Sequence, residues 1–195
     1  MSSSLRRAGT WLGVLALAVS AIGIAVAVAS APWFSWTANA LSDLGVRERA
    51  SATPFNYGLI AGGTLGVGFA ARLWAEAPGR IGRAGIATLA LSLASMVLIG
   101  VFPIPHPYHG PVSVAFFALF TYALFVHGSA EVLAGRPRVG LATVWLGIAH
   151  VTGWVVWGVA GTEGIAIPEA FGAACLGGWV VATTRRLRRG DREDS

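Results

Sequence analysis

The chain alternates between long apolar segments and short polar connections, and this pattern predicts its fold. Six segments of roughly 20 mostly apolar residues are separated by stretches that contain most of the charges. A helix of this length crosses the hydrocarbon core of a bilayer, and the core offers no partners to backbone N–H and C=O groups. We therefore predict an all-α polytopic membrane protein, a single domain over residues 1–184 whose six transmembrane helices lie near residues 10–31, 54–75, 84–102, 111–133, 139–160 and 167–184.

Composition supports a membrane protein and excludes a nucleic-acid binder. Hydrophobic residues make up 55% of the chain and charged residues 12%, whereas soluble domains contain about a quarter charged residues. The formal net charge is +5 and all 14 basic residues are arginine, but the arginines flank apolar segments instead of forming a patch with interleaved aromatic residues. Cys175 is the one cysteine, so an intramolecular disulfide is excluded.

The positions of the arginines predict the orientation in the membrane. Twelve of the 14 fall near the N-terminus, beside the second and fourth connections, or after the sixth segment, and only Arg47 and Arg49 lie in the first connection. Because cytoplasmic connections retain basic residues, we predict that both termini are cytoplasmic (N-in/C-in) and that the protein spans the inner (plasma) membrane. Residues 185–195 are predicted to be a disordered, basic cytoplasmic tail.

The N-terminal segment also has features of a cleavable secretory signal. Arg6 and Arg7 precede an apolar run that ends in small residues before Pro32. Cleavage would leave five helices. The apolar run is about 20 residues long, which exceeds the usual length of a signal's apolar region and favours an uncleaved first helix.

In this orientation the polar residues other than arginine gather on the outer side. The first external loop contains Asn39, Ser42 and Asp43, and its alternation of aromatic and small polar residues predicts a short amphipathic helix in the interface. The second loop contains His106 and His109, and the sixth segment opens with Pro168-Glu169. Three of these residues also have a simpler interpretation. Asp43 caps a helix or turn, His106 is a solvated side chain, and Glu169 is a charge near a helix N-terminus.

His150 lies near the middle of the fifth segment, about 16 Å from its cytoplasmic end. An ionisable group at this depth is expected to face the interior of the bundle. A compact bundle would bring Asp43, His109, His150 and Glu169 into one outward-facing cavity, and these four are the candidate catalytic residues. The candidate ligand-binding set adds Asn39, Ser42, Asn56 and His106.

Carboxylates and imidazoles are ligand types that Zn²⁺ accepts, so Asp43, His109 and His150 are candidate zinc ligands, although their spacing matches no established metal motif. A haem held by His127 and His150 is disfavoured, because the two rings would differ in depth by more than a helical turn. His127 and Glu131, four residues apart, are instead predicted to form a local pair on one helical face.

Several short motifs resemble a known family. They are Asn39–Gly45 (NALSDLG), Pro54–Gly58 (PFNYG), Gly100–Pro103, His109 and Pro168-Glu169. Over roughly Thr10 to Thr184 the chain resembles the prokaryotic integral membrane family catalogued as domain of unknown function 998. The resemblance implies a six-helix membrane protein and brings no established activity, and it places Ser42, Asp43, Asn56, His109 and Glu169 on motif positions.

Two hypotheses of function follow. The first is a non-enzymatic membrane protein whose outward polar cluster binds a small ligand or a lipid headgroup. The alternative is an outward-facing hydrolase or transferase, metal-dependent in one form, that acts on lipid. The predicted partners are the lipid bilayer and a lipid or small-molecule ligand, without nucleic acid. The chain contains no P-loop, G-x-S-x-G or dinucleotide fingerprint.

Overall fold

A computed structural model describes residues 3–193, and six long helices account for most of them. Each is long and apolar enough to cross a membrane. The predicted all-α architecture of six membrane-spanning helices is therefore confirmed. The helices are α1 Ser3–Ala29, α2 Ala52–Glu76, α3 Gly79–Val101, α4 His109–Leu133, α5 Pro137–Ala160 and α6 Ala166–Glu193.

Local sequence explains where several helices begin and end. Pro137 is the first residue of α5, where its missing N–H and fixed φ are tolerated. Gly161 follows α5 with φ 68°, a left-handed conformation that glycine adopts without strain. Helix α6 continues through the basic segment as far as Glu193, and residues 194–195 of the predicted disordered tail lie outside the described residues. Arg186 contacts Glu131 of α4 and Arg188 contacts Trp11 of α1, so this part of α6 packs against two other helices.

Each helix packs against its neighbour in the chain, and α6 also packs against α1, so the six helices form a closed ring. One end of the ring contains the start of α1, the α2–α3 and α4–α5 connections and the end of α6, and we call it the arginine end. There, the Arg188 guanidinium lies 4.5 Å from the centre of the Trp11 ring. The opposite end, the loop end, contains residues 30–51, 102–108 and 161–165.

Small residues allow α1 and α2 to approach closely. A Cβ atom added to Gly23 of α1 would lie 2.8 Å from the Gly58 Cα of α2 and 2.6 Å from the Pro54 carbonyl oxygen. Such distances leave no room for a side chain, so glycine is required at this crossing.

Candidate functional site

The first loop folds into the end of the ring instead of lying on its surface. After a series of turns it forms a five-residue 3₁₀ helix, Leu41–Gly45. Leu44 is fully buried and Leu41 nearly so, and both belong to the hydrophobic core. In place of the predicted amphipathic helix, the loop thus forms a short 3₁₀ helix whose Leu41 and Leu44 side chains pack in the protein core, while Trp33 and Trp36 remain exposed.

Asn39 and Asp43 stabilise the loop through hydrogen bonds to each other and to the backbone. The Asp43 carboxylate oxygen Oδ2 accepts hydrogen bonds from Asn39 Nδ2 (3.1 Å) and from the Ala40 N–H (2.9 Å). Asn39 Oδ1 accepts one from the Ser35 N–H (2.9 Å). Asp43 therefore satisfies donors at the start of the 3₁₀ helix, as a capping residue does.

The α5–α6 connection is attached to the same loop by backbone hydrogen bonds. The Gly164 N–H donates to the Thr37 carbonyl (2.9 Å), and the Ala166 N–H donates to the Asn39 carbonyl (2.9 Å). The Trp157 indole N–H donates to the Gly164 carbonyl (2.7 Å). A Cβ atom on Gly164 would lie 2.5 Å from the Asn39 nitrogen, so only glycine permits this contact.

Glu169, in the first turn of α6, connects that helix to the 3₁₀ helix. Its Oε2 accepts a hydrogen bond of 2.6 Å from the Leu41 N–H, and the residue is only 7% exposed. Among the side chains that the structure describes, those of residues 5–190, its other oxygen, Oε1, has no hydrogen-bond partner and the carboxylate forms no ion pair. The backbone N–H groups of the adjacent residues Ala40 and Leu41 thus donate to the carboxylates of Asp43 and Glu169, so both acids lie at the same turn.

The motif residues around Gly45 have structural roles. The Asn56 side-chain amide donates to the Gly45 carbonyl (2.8 Å), and the Ser51 hydroxyl donates to the Leu44 carbonyl (2.8 Å). A Cβ atom on Gly45 would lie 2.5 Å from Asn56 Oδ1. The two sequence motifs, S-D-L-G and F-N-Y-G, therefore form one packed corner at the start of α2.

A cavity of about 960 Å³ lies inside the ring, between α1, α2, α3, α4 and α6. Its lining is predominantly apolar. The few polar side chains in the lining have defined positions: Ser42, Ser113 and Glu169 at the loop end, Ser20 on α1, and Arg185 towards the arginine end. The volume is at the upper end of the range of small-molecule sites.

This cavity is partly open, and small side chains lie along α1 and α6 where it is lined by these two helices. Alanines and a glycine on the two helices both line the cavity and are exposed; they are Ala21, Ala25, Ala174 and Gly178. These exposed residues indicate that the cavity opens through the side of the ring, along α1 and α6.

His109 contacts the cavity through a neighbouring serine. Its Nδ1 lies 2.9 Å from the Phe102 carbonyl oxygen, which can only accept, so Nδ1 carries the proton. Its Nε2 is then an acceptor and lies 3.4 Å from Ser113 Oγ. Ser113 lines the cavity and His109 does not.

His150 is separate from the loop end and from the cavity lining. The Trp154 indole N–H donates to His150 Nε2 (3.1 Å). Nδ1 then donates to Thr121 Oγ1 (2.8 Å), and that hydroxyl donates to the Phe117 carbonyl (3.0 Å). Both ring nitrogens of a neutral imidazole are occupied by this chain of hydrogen bonds, which connects α4 to α5.

His106 belongs to an aromatic cluster on the second loop. Its ring stacks on Phe102 with 4.6 Å between ring centres, and its Nδ1 accepts the Tyr108 N–H (3.2 Å).

The candidate zinc ligands Asp43, His109 and His150 thus participate in three separate hydrogen-bond networks. Among residues 5–190, whose side chains the structure describes, no three His, Cys, Asp or Glu side chains are grouped so that they could hold a metal ion.

At the arginine end, the predicted local pair is confirmed and is part of a larger network. His127 Nε2 lies 3.4 Å from Glu131 Oε1. Arg186 of α6 contacts both carboxylate oxygens, at 3.2 Å to Oε1 and 3.1 Å to Oε2, and Arg136 also donates to Oε2. Glu131 is fully buried.

Sequence reasoning placed Glu169 and Asp43 together but missed Ser113 and both arginine partners of Glu131. Ser113 is four residues after His109, a helical spacing that brings two side chains together and was available from the sequence. Arg186 lies 55 residues from Glu131, and no local pattern predicts that contact.

The chain is similar in sequence to a family of proteins. A family model described as "Protein of unknown function (DUF998)" matches residues 8–186. No curated protein and no solved structure matches the chain.

Proposed function

The chain belongs to the DUF998 family, and on this premise we propose that it is a membrane protein that binds a lipid-like amphiphile inside its helix ring. The observation that supports this proposal is the apolar cavity of about 960 Å³ with a buried carboxylate at its loop end. The alkyl chain of the amphiphile occupies the cavity. Its polar head lies at the loop end, beside Glu169, Ser42 and Ser113.

The lining favours an amphiphile over a small polar ligand. Most of the cavity offers only van der Waals contacts, which suit methylene groups and leave the hydrogen-bonding groups of a polar solute unsatisfied. Exposed small residues along α1 and α6 give an alkyl chain a lateral path from the bilayer. The polar groups at the loop end provide the contacts that orient the head.

We also propose that the arginine end faces the cytoplasm and the loop end the outside of the plasma membrane. The support is the distribution of arginines, twelve of which lie at one end. Reporter fusions within the 134–136 connection and the 161–165 connection test this proposal. We expect a cytoplasmic reporter to be active only at the first position, and the reverse pattern would overturn it.

Binding is tested by native mass spectrometry of the purified protein released from detergent with its co-purified lipid. Ala174 is exposed and lines the cavity, so Ala174→Phe places a phenyl ring in the space of the alkyl chain. Ala142 is exposed on α5 outside the lining, and Ala142→Phe is the matched control. We expect bound amphiphile on the wild type and on Ala142→Phe, and at least a tenfold lower occupancy on Ala174→Phe. Equal occupancy in all three proteins would contradict the proposal.

A second candidate, hydrolysis or transfer of an acyl group of the bound amphiphile, is favoured by the Ser113–His109 contact at 3.4 Å. The Phe102 carbonyl orients the imidazole so that Nε2 can accept a proton. In this reaction Ser113 Oγ attacks the ester carbonyl, and Nε2 takes the hydroxyl proton and returns it to the departing alcohol. Water or a second alcohol then releases the acyl group from Ser113.

A fluorophosphonate probe, which labels activated serines covalently, tests the second candidate. The expected result is labelling of Ser113 in the wild type and its loss in Ser113→Ala and His109→Phe. An unlabelled wild type, or labelling that does not depend on His109, would remove this candidate and leave the binding proposal unaffected.

A further inference from the structure

We propose that the head of the bound amphiphile carries an ammonium group and that Glu169 selects for it. This inference rests on the proposed function, since it identifies the chemical class of the ligand that the cavity binds. It goes further in assigning the selectivity to one carboxylate oxygen, Oε1 of Glu169, at the loop end of the cavity.

The first step of the argument is that Glu169 is incompletely paired. The residue is buried and lines the cavity, and with the described residues it uses only Oε2 in a hydrogen bond, to the Leu41 N–H. A buried carboxylate is unfavourable unless hydrogen bonds and an opposite charge compensate for its lost hydration. A ligand that brings N–H donors and a positive charge to Oε1 would therefore compensate for the lost hydration of this carboxylate.

The second step is that no arginine of the described chain supplies that charge. Arg49 lies in the same loop, but its guanidinium stacks 3.8 Å from the centre of the Trp33 ring and donates to the Asp43 carbonyl (2.8 Å). Arg47 reaches the Val101 carbonyl (3.4 Å). The loop end thus differs from a phosphate site, where arginine forks or free helix N–H groups meet the anion.

The third step concerns the helix N-terminus beside the cavity, because free N–H groups there would attract an anion. The N–H groups of Ile165 and Ala166 both donate to the Asn39 carbonyl. The Glu169 N–H donates to the Ile165 carbonyl (3.1 Å). Three N–H groups at this terminus are thus occupied, and with Asp43 held at the adjacent turn the local charge disfavours an anionic head.

The fourth step is that neighbouring groups suit the three donors of a primary ammonium. Ser42 and Ser113 place hydroxyl oxygens in the same lining as Glu169, and each hydroxyl oxygen has lone pairs to accept an N–H. Trp36 also lines the cavity, and the face of an indole ring attracts cations. A primary ammonium therefore matches the groups at the loop end better than a neutral or anionic head.

The same ammonium occurs in two sources, the ethanolamine headgroup of a two-chain phospholipid and a free long-chain amine. Binding is measured with a long-chain primary amine, with its N-acetyl amide of equal chain length, and with phosphatidylethanolamine against phosphatidylglycerol of matched chains. Each ligand is added to the purified, delipidated full chain, and occupancy is read by native mass spectrometry. Glu169→Gln removes the charge of the proposed contact, and Glu163→Gln, at an exposed acid of the α5–α6 connection, is the control.

We expect the wild type and Glu163→Gln to bind the amine at least tenfold more tightly than the amide, and Glu169→Gln to bind both equally. A preference for phosphatidylethanolamine over phosphatidylglycerol that also requires Glu169 identifies the phospholipid as the source, whereas a preference confined to the single-chain pair identifies the free amine.

Equal binding of amine and amide by the wild type would overturn the inference and leave the proposed function intact. Binding of none of the four ligands would overturn both. An amine preference that Glu169→Gln keeps in full would overturn the assignment to Glu169, and the wild-type ratio tests the preference for an ammonium even if Glu169→Gln does not fold.

Discussion

Two buried glutamates, one at each end of the helix ring, have opposite surroundings. Glu131 at the arginine end is fully buried, and both of its carboxylate oxygens are paired, with Arg186 contacting both and Arg136 contacting one. Glu169 at the loop end is almost as buried, but only one oxygen is paired, with a backbone N–H. Both oxygens of the Glu131 carboxylate thus find partners within the protein, whereas Glu169 lines a cavity that can hold another molecule.

We interpret the difference as a structural role for Glu131 and, on the proposed function, a binding role for Glu169. Glu131 joins α4 to α6 and to the α4–α5 connection, so its charge is used to hold three parts of the chain together. Among the described residues, the Glu169 carboxylate accepts one hydrogen bond, from the Leu41 N–H, and in our proposal its other oxygen binds the ligand. Substitutions at the two ends should therefore affect different measurements.

The largest effect on stability is expected for Glu131→Gln. The substitution leaves Arg136 and Arg186 without their carboxylate, and breaking a buried ion pair costs about 2–3 kcal/mol here, below the value for a fully buried pair because the arginine side chains are 45% and 34% exposed. The free energy of unfolding in mixed micelles, titrated with sodium dodecyl sulfate, measures it. Glu163→Gln is the exposed control, and equal stability of the two variants would show that the network is not structural.

A smaller effect is expected for Asp43→Ala. The change removes the acceptor for the Ala40 N–H and the Asn39 amide, which costs about 1 kcal/mol, as at a helix cap. The same micelle titration measures it. Asp43→Asn keeps an oxygen that can accept the Ala40 N–H and should recover most of the loss. A variant Asp43→Asn as unstable as Asp43→Ala would indicate that the charge of Asp43, and not its hydrogen bonds, is what the loop requires.

The smallest effect on stability is expected for Glu169→Gln. The glutamine oxygen still accepts the Leu41 N–H, and removal of a buried, half-paired charge offsets the weaker hydrogen bond, so the free energy of unfolding should change by less than about 0.5 kcal/mol. Measurement beside Glu131→Gln, under the same conditions, makes the comparison direct. Equal losses at the two positions would mean that Glu169 is also a structural residue.

The sequence predicted the parts of this protein that depend on local chemistry. Length and apolarity determine six helices because a bilayer leaves the backbone no alternative, and the His127–Glu131 pair follows from helical spacing. The contact between Glu169 and Leu41 joins residues 128 positions apart. It depends on α6 packing against the 3₁₀ helix of the first loop, which no local pattern specifies.

Polarity alone also failed to separate the histidines. The sequence groups His150 with the predicted outward residues because an ionisable side chain at that depth requires a partner. Its partners are Trp154, one turn along α5, and Thr121 on α4, so the requirement is met inside the bundle. His109 contacts the cavity only through Ser113.

The most direct test of the account is an experimental structure of the full chain in nanodiscs formed from its native lipid. We predict an elongated density in the cavity between α1 and α6 whose polar end lies within hydrogen-bond distance of Glu169 Oε1. A cavity that is collapsed by its own side chains, or a head density at the arginine end beside Arg185, would contradict the account.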